Sequence, residues 1–380
     1  MLREALDSLL AQSMPADEII VINDASTDDT ASILAGYGSR LRVIDQPANQ
    51  GKPVALNLAI PQAVGDYVWL FDDDDVALAD ALASHLDFLR LHPDIEFTYS
   101  DKYRYTNHGD IWTRDLWQLD RMTSVKPEAF LMRTMLSMNT LMQGMLIPKQ
   151  TLIDIGLFNE SLDRCEDHDM IMRLAADYRG ANLGKPTFVY REHAGARGAG
   201  QKSHAAQMRF RVMADYRRQV FRKLRSQLPL DRYLMHRQAS PVWKNADGLE
   251  AAALVQRACI MLRHGLISEG AADLEAGLSN PAIAQVDNRW LNEVFAQSLD
   301  AEPWIFQSRR GLAGEITHVL ARNQRLEHGS AFMRGMYWHM RRALSRRQPS
   351  QVLASGALLS TFGATWLSRR LLSKNSKMRS

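Results

Sequence analysis

Tyr67-Val68-Trp69-Leu70-Phe71-Asp72-Asp73-Asp74-Asp75 is an apolar run that stops in four consecutive carboxylates. Residues 67–71 are β-prone and read as a strand, with the aspartates as the turn that ends it. Four acids at one sheet edge repel each other, so ionisation is costly there unless a cation or donors neutralise them. Hard carboxylate oxygens suit Mg²⁺ or Mn²⁺. Taken alone, the run also reads as a solvated acidic turn.

Working outward, residues 18–22 (Glu-Ile-Ile-Val-Ile) predict a second strand, which runs into the polar turn 23–30. A helix follows over 30–34, a short strand over 41–44, and a helix over 54–63 after the turn Asn49-Gln50-Gly51-Lys52-Pro53. Beyond the aspartates, 79–91 reads as helix and 96–100 as strand. Strands alternating with helices argue for an α/β fold with a largely parallel sheet. In such sheets ligands bind beyond the carboxyl ends of the strands. Asp24 and Asp72 both stand at such ends. Residues 101–137 read as a loop-rich wall, 144–148 as a strand, a helix opens at Glu166-Asp167-His168-Asp169, and 188–190 is the last strand. After Ser203 the pattern is helical, and 250–282 reads as a helical hairpin.

Length and composition set the frame. The 380 residues suffice for two or three domains, and 46% hydrophobic content excludes wholesale disorder. The two cysteines, Cys165 and Cys259, show no metal spacing and fit a reducing compartment. The net charge of +3 is uneven: residues 331–380 hold ten Lys/Arg and no Asp/Glu, so the remainder is net acidic. A basic tail points to an anionic surface, and no nucleic-acid motif accompanies it. Residues 352–367 are uncharged but shorter than a typical spanning helix. They read either as an interfacial helix or as a core helix. The opening residues form an amphipathic helix with acids, not a basic-then-apolar leader, so a cytoplasmic location is expected, peripheral to the membrane through the tail.

Four segments, in order, resemble signatures of family 2 glycosyltransferases with the GT-A fold. They are the turn at 18–28, Asn49-Gln50-Gly51-Lys52-Pro53-Val54-Ala55-Leu56-Asn57, the aspartate run as a DXD motif, and Gly156-Leu157-Phe158-Asn159-Glu160-Ser161-Leu162 followed by Glu166-Asp167-His168-Asp169. The resemblance covers roughly the first 200 residues. It implies a Rossmann-like GT-A domain over 1–203, followed by a helical region over 204–347 and the basic, apolar tail over 348–380. It implies a transferase that moves a sugar, with inversion, from a nucleotide donor, UDP-linked first, to a saccharide or lipid-linked acceptor in cell-surface polysaccharide assembly.

The resemblance also assigns roles. Asp72 and Asp74 hold the divalent cation, Mg or Mn, with Asp72 also reaching the donor. Asp73 and Asp75 shape the loop or hold a metal-bound water. Asp24 reads the nucleobase, or else caps a helix with Ser26. Lys52 faces the phosphates, or is a solvated lysine. Asp167 is the general base flanked by Glu166 and Asp169, or all three acids favour the dipole of the helix they open. His193 closes over the diphosphate, or is a surface histidine, and Arg197 is a weaker phosphate ligand. Two departures stand out. The family's first β-strand and its nucleoside-binding turn have no counterpart ahead of the opening helix, which leaves neighbouring strand edges open. No Gln-x-x-Arg-Trp motif of processive synthases follows. The first departure favours an alternative: a catalytically impaired relative that binds a nucleotide sugar or acts as a scaffold. A sugar nucleotidyltransferase is disfavoured, because the 166–169 acids would be idle.

Overall fold

The computed structural model describes residues 1–106, 109–138, 140–192, 209–234, 246–301, 305–306 and 308–377. It divides into two units, Met1–Gln207 and Met208–Ser380.

In the first unit, α1 (Leu2–Leu10) turns Ala5 and Leu6 inward. Polar groups on and after this helix tie it to the segment beyond the aspartates. The Ser8 hydroxyl accepts the Ala77 N–H at 2.9 Å, and Gln12 Nε2 donates to the Leu78 carbonyl at 2.8 Å. β1 (Ile20–Asn23) and β2 (Arg42–Asp45) are joined through α2 (Thr30–Ala35) and pair in parallel. α3 (Lys52–Ala59) begins after Gly51, whose φ of 89° is a left-handed conformation that glycine adopts without penalty. The chain then forms β3 (Tyr67–Val68), β4 (Val76–Ala77), α4 (Ala81–Leu91), β5 (Phe97–Tyr105), β6 (Gln118–Asp120), α5 (Phe130–Leu136), β7 (Met145–Pro148), α6 (Lys149–Asp154), α7 (Glu166–Asp177) and β8 (Gly180–Arg191).

A six-stranded sheet has the order β3-β7-β5-β8-β4, with β6 beside β5. Its pairing is mixed rather than mostly parallel: β5/β8 is parallel, while β3/β7, β5/β7, β5/β6 and β4/β8 are antiparallel. Antiparallel neighbours need no helical crossover, and β5 returns to β6 without an α-helix. Residues 101–137, expected as loop, therefore contain the end of β5, β6 and α5. The strand expected over 67–71 pairs for two residues only.

Among the described residues, β1 pairs with β2 alone and β3 with β7 alone. A cavity of about 780 Å³ lies against the segments that carry both strands, lined by Leu6, Leu9, Ile20, Ile22, Val68 and Leu70. Each of the two strands thus has one edge unpaired among the described residues. Beneath the six-stranded sheet, Phe97, Tyr99, Phe130, Met145, Met170 and Leu174 form a common core.

The second unit is helical: α8 (Arg209–Gln227), α9 (Ala246–Arg263), α10 (Ile267–Ser279), α11 (Asn288–Ser298), α12 (Arg309–Arg322), α13 (Gly329–Ser345) and α14 (Pro349–Lys377). α9 and α10 form the expected hairpin. The buried Asp273 carboxylate there accepts two hydrogen bonds each from Arg225 and Arg257, at 2.7–2.9 Å. Phe295 and Phe332 stack at 4.6 Å, and Phe332 meets Phe362 at 6.1 Å. Leu358 and Phe362 thus place α14 in this core, and Trp366 Nε1 donates to the Leu326 carbonyl at 2.8 Å. Much of the tail expected over 348–380 is therefore a packed helix. Among the described residues no helix is long and apolar enough to cross a membrane.

Gly335 in α13 approaches the end of α11 so closely that an added Cβ would lie 2.0 Å from the Ala296 carbonyl oxygen and 2.9 Å from the Asp300 nitrogen. Backbone cannot swing away as a side chain can. Gly335→Ala is expected to destabilise the helical unit by about 1–3 kcal/mol, read as a lower melting temperature in scanning calorimetry.

Candidate active site

At the carboxyl end of β1, side chains organise the turn. Asn23 Oδ1 accepts the Ser26 N–H at 3.0 Å, and Asn23 Nδ2 donates to Asp45 at 2.8 Å. Asp24 does not cap with Ser26. Its two oxygens accept the N–H groups of Gln50 and Gly51, each at 2.8 Å. Ala25 is held at φ 56°, a left-handed conformation that costs a non-glycine residue energy and recurs at functional sites. Asp24 thereby fixes the turn that delivers Lys52 at the start of α3. Asp24, Lys52, Asp72 and Asp73 all line the cavity that runs between the open strand edges.

The aspartate run divides as its neighbours dictate. The Lys52 ammonium pairs with Asp72 Oδ1. Burial alone would lower the Lys52 pKa, but Asp72, with Glu166 and Asp167 behind it, holds it above the ordinary lysine value. Asp72 Oδ2 accepts from Gln143 Nε2 at 2.5 Å. Asp75 is fully buried; its oxygens accept the Arg191 N–H at 2.8 Å and Gln143 Nε2 at 3.0 Å. Burial first, then the Asp74 charge, pushes its pKa up to about 8. Asp73 is shifted upward in the same way, by burial and then by Asp74 and Asp72. One carboxylate oxygen from each of Asp72, Asp74 and Asp75 lies within 4.8 Å of the others. That set of hard oxygens fits a small divalent cation. Asp75 also holds Arg191, and Asp72 is shared between Lys52 and Gln143.

Two contributors escaped the sequence reading. Gln143 belongs to the turn before β7, and Arg191 ends β8. The Arg191 guanidinium donates to the Asp74 carbonyl at 2.8 Å and pairs with Glu4 at 2.7 Å, clamping the backbone of a candidate ligand. The signal in sequence would have been a polar residue beside apolar strand positions, here Gln143 just before Met145-Leu146-Ile147.

At the opening of α7, Cys165 takes a left-handed φ of 61° and hands the chain to Glu166 and Asp167. Asp167 Oδ1 accepts its neighbour's His168 N–H at 2.7 Å. Burial, and then the Asp167 charge, raise the Glu166 carboxyl to about 7. Asp169 is drawn elsewhere. It pairs with Arg173 at 2.8 Å, and Arg173 in turn donates to the carbonyls of Ile155 and Leu157. The buried His168 ring bonds the Thr134 carbonyl at 3.0 Å. Lys52 thus pairs with Asp72 and feels the charges of Glu166 and Asp167, while Asp169 supports the turn. His193 and Arg197 lie outside the described residues.

Raised carboxyl pKa values carry a stability sign. A carboxyl that titrates higher folded than unfolded stabilises the fold fully below its unfolded pKa and loses that contribution as pH rises through the folded value. For Asp75 the window runs from about 4 to about 8, and for Glu166 from about 4.5 to about 7. Metal-free protein is therefore expected to melt progressively lower across pH 4–8. Asp75→Asn should flatten that slope, with the largest gain over the parent above pH 8, read by melting curves in chelator.

Residues 1–143 match the family model described as Glycosyl transferase family 2. An uncharacterized glycosyltransferase of Rickettsia prowazekii is 30% identical over 177 residues, which cover 44% of this chain and 52% of the relative. The putative teichuronic acid biosynthesis glycosyltransferase TuaG of Bacillus subtilis is 37% identical over 91 residues, 23% of this chain and 36% of TuaG. The crystal structure of S. aureus TarS aligns with a TM-score of 0.50 at 19% identity, over 85% of this chain and 52% of that one, a likeness of fold. The chain spans 22%, 29% and 52% of the lengths of three curated relatives it matches. Motif order and carboxylate geometry agree with this match to the glycosyltransferase family 2 model over residues 1–143, and the fold is of the GT-A type.

Proposed function

We propose that the first unit transfers a sugar from a nucleotide-sugar donor to a hydroxyl of a saccharide or lipid-linked acceptor, with inversion at the anomeric carbon. One observation carries the reading. Lys52, Asp72 and the Glu166–Asp167 pair, far apart in sequence, share one electrostatic site. A donor diphosphate needs positive charge as it departs. A divalent cation, Mg²⁺ or Mn²⁺, would be held by Asp72 and Asp74 and would supply Lewis-acid stabilisation of the leaving group. Lys52 adds a second positive charge on the same side. Asp24 holds the turn that aims Lys52 and lines the cavity where the nucleoside would enter. Asp167 takes the acceptor's hydroxyl proton as its oxygen attacks, and the buried Glu166 beside it modulates that basicity. Attack opposite the leaving diphosphate inverts the anomeric centre, as in inverting hydrolysis with an alcohol in place of water. A UDP-sugar is the first donor to try, and the likeness to TuaG, a putative teichuronic acid biosynthesis glycosyltransferase, favours cell-surface polysaccharide as the product class.

The test is calorimetric titration of UDP- and GDP-sugars with and without Mn²⁺, together with a transfer assay. Wild type is expected to bind donor with the metal and to lose that binding in Asp74→Ala. Asp167→Asn should keep binding and lose transfer by about 10²-fold or more. Binding that ignores both the metal and Asp74→Ala would overturn the reading. The open edges of β1 and β3 favour a second reading, a nucleotide-sugar-binding protein without turnover. Wild type that binds donor with metal yet shows neither transfer nor donor hydrolysis would select it.

We also place the end of α14 at an anionic membrane surface, with the protein on the cytoplasmic side. Leu367, Leu371 and Leu372 are exposed there beside Arg369 and Arg370. The expected outcome is pelleting with vesicles that contain anionic lipid and not with neutral ones, abolished by Leu371→Ser with Leu372→Ser. Equal behaviour with both vesicle types would remove the proposal.

A further inference from the structure

Gln143 is buried on the turn that leads into β7. A buried amide with a purely packing role would find backbone partners. Here the side-chain nitrogen donates to Asp72 Oδ2 at 2.5 Å and to Asp75 Oδ2 at 3.0 Å. Its backbone is held as firmly. The Gln143 carbonyl accepts the Trp69 indole N–H at 2.7 Å, from the segment that runs into the aspartates. Next door, Gly144 packs so tightly that an added Cβ would meet Phe188 and Ser100 at 2.9 Å. The amide therefore stands on a rigid base and spans two acids of one candidate cation cluster.

We propose that Gln143 is a positioning residue that presets Asp72 for the divalent cation. This rests on the metal reading above. Gln143 bonds one oxygen of Asp72 and one of Asp75, which sets the spacing and orientation of the two acids. One nitrogen offers two N–H groups, so a single side chain can hold one oxygen of each acid. Asp72 is then fixed between Gln143 on Oδ2 and Lys52 on Oδ1, with its orientation set before any ion arrives. Groups that orient a metal's ligands are commonly worth 10- to 100-fold in metal affinity.

The experiment measures Mn²⁺ binding to the full chain without nucleotide, through the electron-spin-resonance signal of free Mn²⁺, with a melting temperature for every variant. Q143M keeps the volume and removes both N–H groups; Q143N keeps the amide but retracts it by one methylene. Met142→Ala, at a neighbouring core position, controls for destabilisation alone. The expected result is Mn²⁺ affinity about tenfold or more weaker in Q143M, intermediate in Q143N, and unchanged in Met142→Ala despite its lower melting temperature. If Q143M does not fold, the Q143N and Met142→Ala pair decides in the same way. Wild-type affinity in Q143M, or an equal loss in Met142→Ala, overturns the proposal and leaves the metal reading standing. Failure of wild type to bind Mn²⁺ without nucleotide overturns this proposal, and the metal reading is then decided by the donor titration.

Discussion

Asp72 to Asp75 bring four carboxylates to one strand end, and the first unit is arranged around keeping them there. Burial first, and then the Asp74 charge, push the Asp75 carboxyl up to about 8. Donors from three distant elements offset that repulsion. Lys52 comes from the start of α3, Gln143 from the turn before β7, and Arg191 from the end of β8. None of these is near the aspartates in sequence, so the site exists only once the sheet has set the three side by side. The same arrangement leaves Asp72 and Asp74 partly accessible while Asp75 is consumed in support. A divalent cation would relieve the repulsion further, so its binding and the order of this loop are coupled by the same electrostatics.

The site is also placed by backbone. Asp24 grips the amides of Gln50 and Gly51, and Gly51 takes the left-handed turn that starts α3. Ala25 and Cys165, one beside Asp24 and the other beside Glu166, are held in left-handed conformations. Such geometry persists when the surroundings over-determine it. Here the surroundings are helix starts and strand ends, which are stiffer supports than free loops.

Much of this was legible in the chain and some was not, for a definite reason. Local signals reported local structure: the apolar run 18–22, the 49–53 turn and the acids opening α7 all stand near where periodicity and turn chemistry put them. Pairing direction was not local. The sheet came out mixed because β6 and β7 re-enter it antiparallel, which strand composition does not encode. The strand at 67–71 was read too long because its ladder partner, β7, faces it for two residues only. Gln143 and Arg191 were missed for the same cause. Their roles follow from register between distant strands. Asp169, expected beside Asp167, pairs with Arg173 and so helps hold the 155–157 turn.

That short ladder bears on how the aspartates keep their place. A strand paired on both sides is positioned by two sets of backbone bonds, and its end inherits that rigidity. Among the described residues β3 is paired with β7 alone, and its segment lines the cavity. The Trp69–Phe71 stretch that leads into Asp72 is therefore held mainly by side chains. Trp69 bonds the Gln143 carbonyl at 2.7 Å and meets Phe71 edge-to-face at 5.2 Å, and Phe71 meets Phe188 at 6.4 Å. Backbone ladders tolerate substitution because every residue supplies the same groups, whereas side-chain ties depend on one residue each. The geometry of the acidic cluster thus rests on a few identifiable side chains, with Trp69 and Gln143 forming the link between the segment after β3 and the turn before β7.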